Sequence, residues 1–478
     1  ETLQMPITLF TSSDEIKDVS ISIKADDKIE LLKTQVKVTF DKAGERMVFI
    51  PMRALTLGKS KVEIIAQSQT QAGIVNAKQT IHIPVNAQTL AEKRFKKTKI
   101  EAGQSWSESA DLFGIEGSQQ VALELSLMPP MNLQNRLQYL IGFPHGCVEQ
   151  TTSKALPQLF LPKLTNLTDA QLLESQNNIA AAIDKLARYQ AGNGGFSYWP
   201  GQGNVHDWAS SYAGHFLLLA KDQGYDVPKT MTNQWQVYQN HAARSWTASS
   251  NAATNKQQAY RLFTLALSGN SEIGAMNRFR QQENLDNLSR WLLAAAYQLA
   301  GQQEAAATLA SGATLFMNRY TAKESSHDHS FGSTLRDEAM LLISLLVLND
   351  NENAALLAER ISNELVKDNR AYSTQTTAFS LLAMASYAQH GEQGKDQNAK
   401  LLLNWQGKDQ ALKLDKAINF LALELAKKDP AIEVKNNSEL PVYAQLMSQG
   451  IPELGNELPV SNELDLEVKY FDGSQGNG

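Results

Sequence analysis

Cys147 and Gln150 stand three residues apart in Phe143-Pro144-His145-Gly146-Cys147-Val148-Glu149-Gln150, and their types and spacing could do covalent chemistry. A spacing of three brings two side chains together in a turn or in the first turn of a helix. A thiolate attacking the glutamine carboxamide expels ammonia and leaves an internal thioester. That bond is an activated acyl group, stored in the fold until a nucleophile takes it. Gly146 relieves crowding beside the sulfur, and Pro144 fixes the entry of the chain. Cys147 is the sole cysteine, so there is no disulfide framework. Without these neighbours it would read as a small buried hydrophobe.

The other candidate residues read as structural. Glu149 suits a helix N-terminus better than acid–base work. His145 is an exposed loop residue close to Cys147. His206-Asp207 precedes a helical stripe that begins at Trp208, with Asp207 as its cap. His215 lies beside that stripe as a packing residue. His327-Asp328-His329 has no third ligand nearby and sits in a Ser-rich loop, so no metal is expected there. Gly194-Gly195-Phe196-Ser197-Tyr198-Trp199 reads as an aromatic turn between helix pairs rather than a carbohydrate platform. No cofactor is called for.

The elements that must position the pair change period along the chain. Up to about residue 90 the pattern alternates, as in Val19, Ile21, Ile23, in Val36, Val38, Phe40, and in Ile81, Ile83, which reads as an antiparallel sandwich. Val121, Leu123, Leu125 and Leu127 alternate again until Pro129-Pro130 stops them. From there to about 395 the spacing is helical: Ile179, Ala182, Ile183, Leu186; Trp208, Tyr212, Phe216, Leu219; Leu288, Trp291, Leu292, Ala295, Leu299; and the runs 334–348 and 374–388. A long series of helix pairs must close on itself or stack to bury its apolar faces, and the lack of a crisp repeat favours a closed toroid. Alternation returns at Ile432, Val434, at Val442, Ala444, Leu446 and at Leu464, Leu466, Val468, Tyr470, while 410–426 is ambiguous between helix and strand. The flanking β segments, 93–128 and 400–455, are each too short for a sandwich and read as two halves of one.

At 478 residues, with 42% apolar and 20% charged, the chain has globular composition and room for about three domains. A net charge of −6 gives no support to a nucleic-acid partner. Ala339–Leu348 and Trp291–Tyr297 are too short to span a bilayer. The chain opens at Glu1 without a signal peptide, which reads as an excised fragment.

Gly146-Cys147-Val148-Glu149-Gln150 resembles Gly-Cys-x-Glu-Gln, the defining motif of the thioester-containing proteins, the alpha-2-macroglobulins and complement factors. Gly194–Pro200, Gly332-Ser333-Thr334-Leu335-Arg336-Asp337-Glu338-Ala339 and Ser373-Thr374-Gln375 look like the bacterial branch and fall in its order across 130–395. The resemblance implies a multidomain α and β protein. Residues 1–92 would form a macroglobulin-like antiparallel β-sandwich, 93–128 and 400–455 a split CUB-like β-sandwich, 129–399 an inserted all-α α/α-toroid thioester domain, and 456–478 the start of a further macroglobulin-like domain. It implies a non-enzymatic, broad-spectrum protease trap: a bait segment elsewhere is cut, and the Cys147–Gln150 thioester acylates a Lys of the attacking protease. It further implies a periplasmic protein, monomeric, with a lipid anchor outside a soluble fragment.

In complement-type relatives a His on a toroid loop takes the acyl group first. By resemblance it would fall in Thr247–Asn255, which contains no His, and His241 lies earlier within a helix. A preference for amines over hydroxyls follows. The rival reading is an enzyme on an α/α toroid, terpene cyclase-like or polysaccharide-degrading, with a structural Cys. Gln190-Ala-Gly-Asn-Gly-Gly195-Phe suits a cyclase, yet the helical region has no Asp-Asp-x-x-Asp run.

Overall fold

The computed structural model describes residues 2–87, 89–131, 133, 141–248, 252–283, 285–315, 330, 332–366, 372–392, 399–425 and 431–453. Alternation builds the first unit. Strands β1 (Thr2–Thr11), β2 (Asp18–Ala25), β3 (Ile29–Leu31), β4 (Gln35–Thr39), β5 (Gly44–Ala54), β6 (Gly58–Thr70) and β7 (Gly73–Val85) form two antiparallel sheets, ordered β1-β5-β3 and β4-β2-β6-β7. The inward set of each strand, including Ile7, Val19, Ile21, Ile23, Ile50 and Val62, makes one apolar core between them.

A second pair of sheets joins strands from both sides of the helices. β8 (Glu92–Ile100), β9 (Ser105–Ser109) and β10 (Gln120–Ser126) precede them. β11 (Ala399–Trp405), β12 (Lys408–Leu414), β13 (Ile418–Leu423), β14 (Ala431–Asn436) and β15 (Val442–Gly450) follow. The sheet orders are β13-β10-β15-β8 and β12-β11-β14-β9, all antiparallel in the pairs that cross the insertion. The ambiguous segment 410–426 thus resolves into strands: Leu414 and Ile418 bury their side chains, and β13 finds its partner in a strand almost 300 residues earlier. No local pattern could supply that partner.

Between them lie α1 (Val148–Gln158), α2 (Leu161–Leu164), α3 (Asp169–Ala187), α4 (Asp207–Asp222), α5 (Lys229–Ser245), α6 (Ala252–Leu267), α7 (Ile273–Phe279), α8 (Asn287–Leu299), α9 (Gln303–Ser311), α10 (Thr334–Val347), α11 (Asn351–Leu365) and α12 (Thr374–Glu392). Contacts run α1–α4–α6–α8–α10–α12 and back to α1, so six helices close a ring. Helices α3, α5, α7, α9 and α11 pack outside it. Burial divides the two layers. Inner α8 buries Leu288, Ser289 and every residue from Trp291 through Tyr297, whereas outer α3 buries a single stripe, Ser175, Asn178, Ile179, Ala182, Ile183 and Leu186. A helix apolar all round must be enclosed, and one with a stripe covers a surface. Leu299, placed on the core face by spacing, is 39% exposed because α8 ends there and its last turn leaves the ring. The strand expected at 464–470 lies outside the described residues.

Candidate functional site

Helix α1 begins at Cys147. Its N-cap backbone is extended (φ −72°, ψ 178°), Thr151 N–H donates to its carbonyl at 2.9 Å, and Gln150 occupies the third helical position. The Cys147 N–H donates back to Gln150 Oε1 at 3.2 Å, so the two side chains are arranged as a capping box. Helix geometry alone therefore puts thiol and carboxamide side by side. Cys147 is buried, at 5% exposure, while Gln150 is exposed. Gly146 has φ +96°, and a Cβ there would overlap the Gln150 carboxamide. Glycine is thus required both for its backbone and for the space beside it.

Two side chains that sequence reasoning did not single out, Tyr189 and Lys185, support the loop. Tyr189, just past α3, donates its hydroxyl to the Gly146 carbonyl at 2.6 Å. Lys185 on α3 donates to the Pro144 carbonyl at 2.8 Å. Tyr198 holds the start of α1 through its backbone: its carbonyl accepts from Val148 N–H at 3.2 Å. Burial, with Cys147 and Glu149 nearby, pushes the Tyr198 phenol far above its ordinary range and keeps it a donor. The turn Gly194–Trp199 is therefore more than packing. It carries Phe196 into the core and brings the Tyr198 carbonyl to the first N–H of α1. The only sequence signal was an aromatic inside a glycine-rich turn.

Glu149 stands in the first turn of α1, as expected of a residue that favours a helix N-terminus. It is buried, and its carboxylate accepts from Ser153 Oγ at 2.7 Å and from Thr374 Oγ1 at 3.1 and 3.3 Å. Burial raises its pKa, against the lowering effect of those two hydroxyls. Ser153 in turn contacts Tyr212 OH at 3.0 Å. Glu149 thereby ties α1 to α12 and α4.

The remaining stretches meet at the same end of the ring. Ser333 caps α10 by accepting from Arg336 N–H at 3.1 Å, and its hydroxyl meets Thr376 Oγ1 at 2.7 Å. Arg336 is fully buried, donates to Asp337, Ser330 and Gln375, and lies 4.5 Å from the Trp208 ring centre. Asp337 also pairs with Lys256 at 3.3 Å. A buried guanidinium needs such a set of partners, because any donor left without one costs about 1–3 kcal/mol or more. The N-termini of α1, α6, α10 and α12 are stitched into one rim in this way.

The histidines sort differently from their sequence reading in one case. His206, not Asp207, caps α4: its Nδ1 accepts from Ala209 N–H at 3.3 Å. Asp207 is drawn away to Tyr238 OH at 2.7 Å and Arg261 at 2.5 Å, partners from α5 and α6 that spacing could not reveal. The His206 ring also packs edge-on against Tyr198, with ring centres 5.4 Å apart. His145 is exposed, and its ring lies tilted against Phe143, with ring centres 4.6 Å apart. His241 is exposed on outer helix α5. His215 is buried, contacts Tyr260 OH at 3.0 Å, and burial lowers its pKa to about 4. His327-Asp328-His329 lies outside the described residues, among which no group of three or more His, Cys, Asp or Glu gathers to hold a metal. No described helix is long and apolar enough to cross a membrane.

No family model matches the chain. It is 24% identical over 510 residues to alpha-2-macroglobulin of Escherichia coli, covering all of this chain and 29% of that protein. Against alpha-2-macroglobulin of Xylella fastidiosa it is 27% identical over 374 residues, covering 72% of this chain and 22% of that one. The chain thus spans under a third of the length of these curated relatives. Its fold matches native Escherichia coli alpha-2-macroglobulin from domain MG7 to the C-terminus, with TM-score 0.63 and 22% identity over 96% of this chain and 73% of that one. It also matches Salmonella alpha-2-macroglobulin reacted with methylamine, with TM-score 0.61 and 24% identity over 96% and 30%. Along its whole length in sequence, and over 96% of it in fold, this chain is similar to the bacterial alpha-2-macroglobulins.

Proposed function

We propose that Cys147 and Gln150 form an internal thioester, and that within a longer protein this thioester covalently captures attacking proteases. The observation that carries the reading is the adjacency of the two side chains across the first turn of α1, with Gly146 leaving the carboxamide its place. Formation joins Cys147 Sγ to Gln150 Cδ and releases the amide nitrogen as ammonia. Opening by a Lys amine forms an isopeptide bond at Cδ, and sulfur leaves as the thiolate, taking up a proton to end as the thiol. The N–H groups at the start of α1 stabilise the negative charge that develops on sulfur. Similarity to alpha-2-macroglobulins, one of them solved after reaction with methylamine, supports an inhibitor rather than an enzyme.

On this reading residues 1–92 are a macroglobulin-like sandwich, 93–128 and 400–455 a CUB-like sandwich, and 129–399 the thioester toroid. The segment from 456 opens a further domain. The longer protein resides in the periplasm, held by a lipid anchor, and works as a monomer. No His stands ready as an acyl relay from the loop 247–255, so the acyl group waits for an amine. The test is intact mass and thiol titration before and after methylamine. The native chain should be lighter than its sequence by one ammonia, and methylamine should expose one thiol and add at Gln150. A fully titratable Cys147 in fresh protein, with no amine uptake, overturns the proposal.

A further inference from the structure

A cavity of about 350 Å³ lies at the β13 end of the sheet β13-β10-β15-β8, lined by β13, β10 and β15. That is the small end of the range for ligand pockets, about 300–1,000 Å³. Its walls are apolar, from Val121, Phe420, Leu423, Leu425 and Met447, and its edge reaches solvent at the exposed Gln120 and Ala422. Two buried polar side chains line it. Glu124 is 5% exposed and Gln445 3%, and among the described residues neither Oε1 atom has a hydrogen-bond partner.

The strand register explains how the two oxygens come together. Glu124 on β10 stands directly opposite Gln445 on β15 and opposite Phe420 on its other neighbour, β13. Opposed residues on one face hold their Cβ atoms about 5 Å apart. An acid and an amide carbonyl are therefore adjacent, and an aromatic ring flanks the acid. Leaving both oxygens without donors costs about 1–3 kcal/mol each, which a chain would shed by any apolar substitution unless a donor arrives. Burial alone holds the Glu124 carboxyl up to about 8, so it is neutral at neutral pH. The titratable group on the neighbouring strands is Tyr443, which faces Ser126 rather than Glu124; β13 contributes none.

We infer that this cavity receives the guanidinium of an arginine side chain presented by a partner polypeptide, held between Glu124, Gln445 and Phe420. Two unpartnered acceptor oxygens, one on an acid that can ionise, and the shape of the cavity select this occupant. A planar fork offers two parallel N–H donors to two neighbouring oxygens, its weakly hydrated face stacks on the Phe420 ring, and its methylene stem suits apolar walls. An ammonium would need a third acceptor. Entry of the cation ionises Glu124, and one proton leaves to solvent for each guanidinium bound below pH 8.

The experiment uses the 478-residue chain with n-butylguanidinium, n-butylammonium, n-butanol and Nα-acetylarginine methylamide, by calorimetry at pH 7 in two buffers of different ionisation enthalpy. Both guanidinium compounds should bind at least about tenfold more tightly than the ammonium, releasing close to one proton. E124Q and Q445L, each checked for an unchanged melting profile of the ring, should weaken binding about tenfold, and E124Q should abolish proton release. Absence of guanidinium binding to folded wild type, equal binding of butanol or butylammonium, or binding unaltered in E124Q overturns the inference. Binding of butylguanidinium with rejection of the acetylarginine amide overturns a polypeptide as its source.

Discussion

Gly146→Ala is the sharpest perturbation of the thioester reading, because its effect can be worked from geometry. The residue has φ +96°, a region that costs a non-glycine residue about 1–3 kcal/mol. An added Cβ would sit 2.8 Å from Gln150 Cδ, against an ordinary carbon–carbon contact of about 3.5–4.0 Å. The carboxamide must therefore retreat by about 1 Å, away from the sulfur it has to meet. A misplacement of that size costs about 10²-fold in a reaction that depends on positioning. The variant should fold, with stability lowered by about 1–3 kcal/mol in denaturant titration. Intact mass should show the full, unreacted chain, and thiol titration should find Cys147 open without methylamine. Gly192→Ala is the control, since its Cβ would enter open space with no unusual backbone angle. A Gly146→Ala protein that still loses ammonia and still requires methylamine to release its thiol would refute the reasoning.

Cys147→Ala should abolish amine uptake while costing only on the order of 1–2 kcal/mol in a melting experiment; global unfolding would mean the sulfur is a core residue and not a reactive one. In competition between glycerol and an amine the amide should dominate in wild type and in His145→Ala, His241→Ala and His206→Ala alike; ester formation that vanishes in one of them would identify a relay. Glu124, ordinary value 4.5, has its carboxyl raised to about 8 in the fold. Its contribution to stability is therefore whole below pH 4.5, is lost as pH climbs towards 8, and is level above. Glu124→Gln should flatten that slope, worth on the order of several kcal/mol, in denaturant midpoints measured from about pH 5 to 9.

Cys147, Gly146 and Gln150 were readable from the chain because their relation is local. Three residues make one helical turn, and a turn needs nothing from the rest of the protein to bring its first and fourth side chains together. Period-two and helical stripes were readable for the same reason, since each strand or helix states its buried face in its own residues. Tertiary structure alone decided what surrounds the pair. Glu149 and Thr374 are 225 residues apart and meet only because α12 closes on α1. The Tyr198 carbonyl reaches the Val148 N–H from a turn whose glycines show a bend but not its direction. His206 took the cap that Asp207 was suited to, because Tyr238 and Arg261 arrive from neighbouring helices and claim the carboxylate. Glu124 looked like the polar half of an alternating strand, and it is buried because the strand's other face is covered as well. Long-range closure brings partners that no short window contains, and those partners set which polar groups are satisfied and which are left waiting.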